Sequence, residues 1–179
     1  MNSPRHHLDE TAAGPGRRGQ LIRLHPQTRQ RHLDWLTWGL APPRDSDSAV
    51  RPIHARAETV TRSPLFADAF RRRRGIAPAV EYFQRGAAGR RFAIARADGE
   101  PMAIAALWNA HRLSTGEVER TYCIITVPAS GAVAEIHERM PLVLEPRDWA
   151  LWLGEEAGNP ATLLHPPAAD ILVVRPRDG

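Results

Sequence analysis

Between residues 80 and 127 the chain carries short β-prone runs separated by turn residues, and this pattern constrains the fold more than any other feature. VEYFQ at 80–84, FAIARA at 92–97, MAIAAL at 102–107 and TYCIITV at 121–127 are rich in β-branched, aromatic and small apolar residues. Asp98-Gly99 stands between the second and third runs, a strong hairpin signal. TYCIITV is apolar almost throughout and reads as a buried strand, with Cys123 inside it as a small core side chain rather than a nucleophile. Two further strands are expected at 21–24 and 32–40, the second alternating and aromatic (HLDWLTWGL), and a loop follows at 41–52. Ser63-Pro64 supplies an N-cap and a first-turn proline, so a helix is expected over 64–73, with Leu65, Phe66, Ala69 and Phe70 inward and Gly75 ending it. A short helix at 130–139, a strand at 142–144 and a helix at 146–153 come next. Gly154 caps that last helix, which buries Trp149 and Trp152, and 163–164 and 171–174 finish the chain. Strands joined by hairpins, with short helices inserted, argue for an α+β fold: a mixed, mostly antiparallel sheet or open barrel with flanking helices, not a doubly wound sheet.

The length of 179 residues suits one domain, placed at 21–179, after a tail at 1–20 that is rich in Gly, Pro and Arg, lacks periodicity and is expected to be disordered. No apolar run approaches the ~20 residues of a membrane span, and MNSPRHHLDE lacks the apolar core of a signal peptide. A single cysteine excludes an intramolecular disulfide framework and a cysteine zinc ribbon. No metal-ligand spacing is present, so neither metal nor cofactor is expected, and a reduced cytoplasmic compartment is. All 24 basic side chains are arginine, which excludes a lysine Schiff base and a phosphate-loop lysine; the missing lysines fit GC-rich codon usage. The net charge of +4 is unevenly spread: +3 over residues 1–43, +7 over 44–96 and −6 over 97–179. A basic middle segment suits a polyanion, and equally a solvated helix face.

Four segments bear on chemistry. Each has a functional and a structural reading. Trp38, in WGL at 38–40, can stack on a base or pack in the core. Arg56, in HARAET at 54–59, can fork onto a phosphate or pair with Glu58 or another acid. Arg71 to Arg74 can complement the helix dipole or touch phosphate. His137, beside Arg139 in IHERMP at 136–141, can move a proton near an anion or bond backbone.

In this order the segments resemble the SOS response-associated peptidase (SRAP) family, the abasic site processing proteins. WGLAP at 38–42, HARAET at 54–59, FRRRRGIAPA at 70–79, RADGEPMAIAALW at 96–108, IHERMP at 136–141 and LEPRDWALWLGE at 145–156 carry the resemblance, over roughly residues 20–176. The resemblance implies binding of single-stranded DNA and capture of abasic sites. In the family a cysteine at position two, exposed by methionine removal, condenses through its α-amine with the sugar aldehyde and closes a thiazolidine with its thiol. An Asn positions that cysteine, a Glu acts as acid and base, and the motif His assists ring opening. Arginines and aromatics hold phosphates and bases.

The departures from the family pattern fall on the reactive positions. Position two is Asn2, and Cys123 has no free α-amine. His54 stands in place of the family Asn, and Gln84 in place of the Glu. Glu81, three residues away on a strand, points to the opposite face. Arg44 replaces a Trp, Gly75 a Cys, and TVPAS at 126–130 a Thr-Thr-x-Ala-Asn segment; the sequence ends at Gly179, ahead of a Val-Asn segment. Retained are His137, Arg56, Glu58, Arg139 and Trp38. The expectation is a degenerate member that binds single-stranded or abasic-site DNA without the covalent crosslink, with Arg56, Arg139, Trp38 and Glu58 at the DNA. The alternatives are a Schiff-base lyase working through the N-terminal α-amine with His137 as proton shuttle, and a non-catalytic interaction remnant.

Overall fold

The computed structural model describes residues 13–42 and 50–177; Asn2, His6, His7 and Arg44 lie outside them. In chain order the elements are β1 (Arg18–Leu24), β2 (Arg31–Trp38), β3 (His54–Arg56), α1 (Ala67–Arg72), β4 (Arg74–Ala79), β5 (Glu81–Arg85), β6 (Arg91–Arg96), β7 (Met102–Arg112), β8 (Val118–Pro128), β9 (Arg139–Pro141), β10 (Val143–Leu144), α2 (Trp149–Leu153) and β11 (Leu172–Arg177). β1 pairs antiparallel with β2 and β4, β4 with β7, and β7 with β8. A parallel contact, Thr37 to Thr121 and Trp38 to Tyr122, joins β2 to β8 and closes five strands into a barrel. β5, β6 and β11 form a separate antiparallel sheet. The α+β class and the mixed, mostly antiparallel sheet are those expected from the sequence.

The barrel interior takes its fill from the apolar runs. Leu21, Leu36, Ala105, Leu107, Cys123 and Ile125 are fully buried. Arg23 is buried among them because its charge is matched twice: Nη2 donates to Asp34 at 2.6 Å, and the guanidinium lies 4.5 Å from the centre of the Trp108 ring. Two tight connections shape the barrel: β1 returns as β2 through residues 25–30, and β7 returns as β8 through residues 113–117, where Leu113 N–H donates to the Glu117 carbonyl at 2.8 Å.

Five local expectations are corrected. Asp98-Gly99 does form a turn, with Gly99 at φ +79° and Glu100 N–H donating to the Asp98 carboxylate at 3.1 Å. It joins no hairpin: β6 pairs with β5 and β11 while β7 pairs with β4, β8 and β10, so the turn hands the chain from one sheet to the other. The helix expected over 64–73 shrinks to six residues with Phe66, not Ser63, at its N-cap; the Ser63 carbonyl accepts from Phe66 and Ala67 in the turn before it. Gly75 ends no helix. It lies inside β4, where a Cβ would stand 2.9 Å from the Leu21 side chain and 3.1 Å from the Ile22 carbonyl oxygen, so strand pairing claims this residue. The helix expected over 130–139 is a single 3-10 turn at Gly131–Glu135, and Arg139 already belongs to β9. β1 begins at Arg18, ahead of the expected Leu21, so Arg18, Gly19 and Gln20, expected in the disordered tail, instead pair with β2, which supplies their backbone partners.

α2 ends at Gly154 in the left-handed region, φ +87°, as the sequence indicates. Trp152 is fully buried, packs edge-on against Phe70 and donates through Nε1 to the Gly75 carbonyl at 2.8 Å; Trp149 is half-buried. The arginine run divides. Arg71 and Arg72 stay exposed, 3.9 and 3.3 Å from Asp68; Arg73 pairs with Asp68 at 2.5 Å. Arg74 donates to the carbonyls of Trp152, Phe70 and Arg71 at 2.5, 2.6 and 2.9 Å, tying α2 to the end of α1.

Candidate functional site

β8 is longer than the barrel needs, and its far end gathers segments distant in sequence. At Thr121 it has Thr37 of β2 on one edge and Asn109 of β7 on the other. Five residues on, Thr126 has Arg56 of β3 on one edge and Pro141 of β9 on the other. HARAET and IHERMP therefore lie along opposite edges of one strand. Neither β3 nor β9 has more than three residues, too few to show a period, so the pairing with β8 is what makes them strands.

Side chains fasten the two segments across Thr126. Arg139 forks onto Glu58, with Nη1 on Oε1 and Nη2 on Oε2 at 3.0 Å. Nη2 also donates to the Thr126 carbonyl at 2.8 Å and to its hydroxyl oxygen at 3.2 Å. Ala57 N–H donates to the same carbonyl at 2.9 Å. The hydrogen bond from Arg139 holds the Glu58 carboxyl below its ordinary range. Glu58 thus pairs with Arg139 and not with Arg56. Arg56 is exposed and forms no ion pair among the described residues.

His137 follows the 3-10 turn. Its Nδ1 lies 2.9 Å from the Arg139 carbonyl oxygen and 3.0 Å from the Arg139 amide nitrogen, so backbone fixes the ring. The amide donates to Nδ1 when the proton is on Nε2, and Nδ1 donates to the carbonyl in the other tautomer. Nε2 makes no hydrogen bond among the described residues. Trp38, at the end of β2, is half-buried. Its Nε1 donates to the Ile53 carbonyl at 2.9 Å, its ring stacks on Tyr122 with centroids 6.1 Å apart, and His54 meets it edge-on at 6.2 Å. Desolvation beside these rings lowers the His54 pKa below its ordinary value, and burial pushes the Tyr122 phenol up to about 12.

The structure therefore brings Trp38, His54, Arg56, Glu58, His137 and Arg139 around the end of β8. Gln84 belongs to β5, in the other sheet, and its side chain donates to the Arg85 carbonyl at 3.1 Å. Glu81 is on the opposite face of β5 from Gln84 and lies 3.5 Å from Arg177. Cys123 is fully buried in β8, and burial pushes its thiol up to about 12, as suits a core side chain and not a nucleophile. Sequence pattern alone gives Thr126 only as part of TVPAS, and Tyr122 only as part of a buried strand. Their shared even register on β8, opposite Arg56 and Trp38, is the signal that points to them. Among the described residues no three His, Cys, Asp or Glu side chains are grouped to hold a metal.

This arrangement can be set beside known proteins. The sequence model of the SOS response associated peptidase (SRAP) family matches residues 4–176. The chain belongs to the SRAP family. It is 31% identical over 140 residues to the abasic site processing protein YedK of Escherichia coli (strain K12), covering 76% of this chain and 62% of YedK. It is 30% identical over 147 residues to the abasic site processing protein YobE of Bacillus subtilis (strain 168), covering 77% of this chain and 67% of YobE. The chain thus spans about two thirds or less of the length of these SRAP relatives. A crystal structure from Bordetella bronchiseptica superposes with a TM-score of 0.79 at 26% identity, over 92% of this chain and 85% of that one. A second, from Bacteroides thetaiotaomicron, shares the fold with a TM-score of 0.75 at 23% identity, over 90% and 74%.

Proposed function

We propose that this SRAP chain is a cytoplasmic protein of the DNA-damage response that binds single-stranded or abasic-site DNA at the end of β8 without forming the thiazolidine crosslink. One observation carries the reading: Arg56 is exposed and forms no ion pair among the described residues, beside a framework fastened by the Arg139–Glu58 fork, with Trp38 on the same side of β8 and His137 Nε2 making no hydrogen bond among those residues. An exposed guanidinium on a fixed strand suits a phosphate, and a tethered indole suits a base. Arg139 and Glu58 act in this reading by positioning, since each is occupied by the other. The names of the relatives, abasic site processing proteins, support the choice of DNA as the polyanion.

Chemistry supports the absence of the crosslink. A thiazolidine closes when amine and thiol belong to one residue, because the second bond must complete a five-membered ring. The cysteine of this sequence is Cys123, whose nitrogen is a backbone amide and whose thiol is enclosed in the barrel. His54 and Gln84 stand where the family pattern has Asn and Glu, and the Gln84 amide takes up no proton near neutral pH. A gel-shift series tests the reading. Salt-sensitive retention of single strands, weakened by Arg56→Ala, is expected; no retention at low salt would contradict it.

A further inference from the structure

The three-stranded sheet turns one face to the protein and the other to solvent. Tyr82, Phe92, Ile94 and Leu172 are on the inward face. The register sets the outward face in three rows across β5, β6 and β11: Glu81, Ala95, Val173; then Phe83, Ala93, Arg175; then Arg85, Arg91, Arg177. Four arginines and one acid therefore share a surface whose middle strand presents two alanines. Phe83 is 49% exposed, unusual for a phenylalanine on a small sheet, and the Arg177 guanidinium lies 4.3 Å from its ring centre. Arg177 also approaches Glu81 at 3.5 Å, but Arg85, Arg91 and Arg175 form no ion pair among the described residues.

We infer that this face is a second contact surface for single-stranded DNA, separate from the end of β8. Arg85 and Arg91 lie opposite each other on strands about 4.8 Å apart and Arg175 stands one row away on β11, which lets the three guanidiniums follow one phosphate backbone. The alanines keep the middle strand low, and the Arg177 side chain crosses it to reach Phe83 and Glu81, so a nucleic-acid backbone would run along this side chain toward Arg85, Arg91 and Arg175. The part of the Phe83 ring left exposed beside Arg177 offers a stacking surface that every base can use, which makes the contact independent of sequence. An apolar partner would leave the three unpaired arginines desolvated without countercharge, and charge complementarity therefore favours a polyanion. The identity of that polyanion as DNA rests on the function proposed above.

Binding of labelled oligo-dT of about 6 and about 20 nucleotides, lengths spanning a single site and an extended one, separates the two surfaces. The triple variant Arg85→Gln, Arg91→Gln, Arg175→Gln is expected to weaken 20-mer binding about tenfold or more at low salt. It should also reduce the slope of log K against log salt by about 2, from three phosphates at about 0.7 each. The 6-mer should bind as to wild type. Replacing the same three residues by lysine should restore the slope, and Phe83→Ala should weaken the 20-mer without changing the slope. Unchanged 20-mer affinity and slope in the glutamine variant would overturn the inference. So would an effect confined to vesicles of anionic lipid, which would assign the face to a membrane surface. If Arg56→Ala alters neither oligonucleotide while the triple variant weakens the 20-mer, the sheet face stands and the β8 site does not.

Discussion

Arg139 at the end of β8 and Arg175 on the outer face of the small sheet are the same residue type in opposite circumstances. Arg139 is largely enclosed, forked onto Glu58 and bonded to the Thr126 carbonyl. Arg175 is exposed and forms no ion pair among the described residues. The same division runs through the basic middle of the chain. Arg51 is held by Glu119 at 2.8 Å, Arg73 by Asp68 at 2.5 Å and Arg96 by Asp98 at 2.6 Å, while Arg56, Arg85 and Arg91 pair with no acid among the described residues. The count of arginines along the sequence therefore overstates what a polyanion meets. An arginine with a carboxylate at hydrogen-bonding distance holds the fold, and only the unpaired ones offer a field outward.

The comparison breaks most readily on stability. Arg139→Ala is expected to cost about 2 kcal/mol in urea unfolding, because charge-assisted hydrogen bonds tying β3 to β8 and β9 are lost; a cost under about 0.5 kcal/mol would put Arg139 in the same class as Arg175. Glu58→Gln should cost less, about 1 kcal/mol at most, since its carboxylate is half exposed and water screens the pair. That cost should depend on pH with a definite sign. The Glu58 pKa is lowered on folding, so its contribution is complete above the ordinary value of 4.5 and fades as pH falls through the folded value. Wild type and Glu58→Gln should converge in acid, and a gap that widens there would be the wrong sign. Arg56→Ala should leave the unfolding midpoint nearly unchanged yet lower the salt slope of single-strand binding by about 0.7, one phosphate. Arg175→Ala should shift stability least, within about 0.5 kcal/mol either way.

The parts of the fold legible in the sequence are those decided locally. TYCIITV is a buried strand because its apolar run leaves no solvent face, and Gly154 caps α2 because the left-handed conformation suits glycine. Asp98-Gly99 shows the limit: its turn chemistry is local, but whether β6 and β7 pair is settled by β4 and β11, which lie far off in sequence. Gly75 shows it again, since the contact with Leu21 that keeps it in a strand joins residues that no local pattern connects. At the site, the motifs named Trp38, His54, Arg56, Glu58, His137 and Arg139. What they did not reveal is that Arg139 takes Glu58 and leaves Arg56 unpaired, because either arginine is an equal partner for that acid until β8 sets their places.

The central claim is DNA binding without a covalent trap, and one experiment meets it directly. The full chain is incubated with a single-stranded oligonucleotide carrying an abasic site, and the sample is divided between a native gel at low salt and a denaturing gel without borohydride. Retention on the native gel with no protein-linked DNA on the denaturing gel is the expected result. A persistent adduct on the denaturing gel, or no retention on the native one, would contradict it.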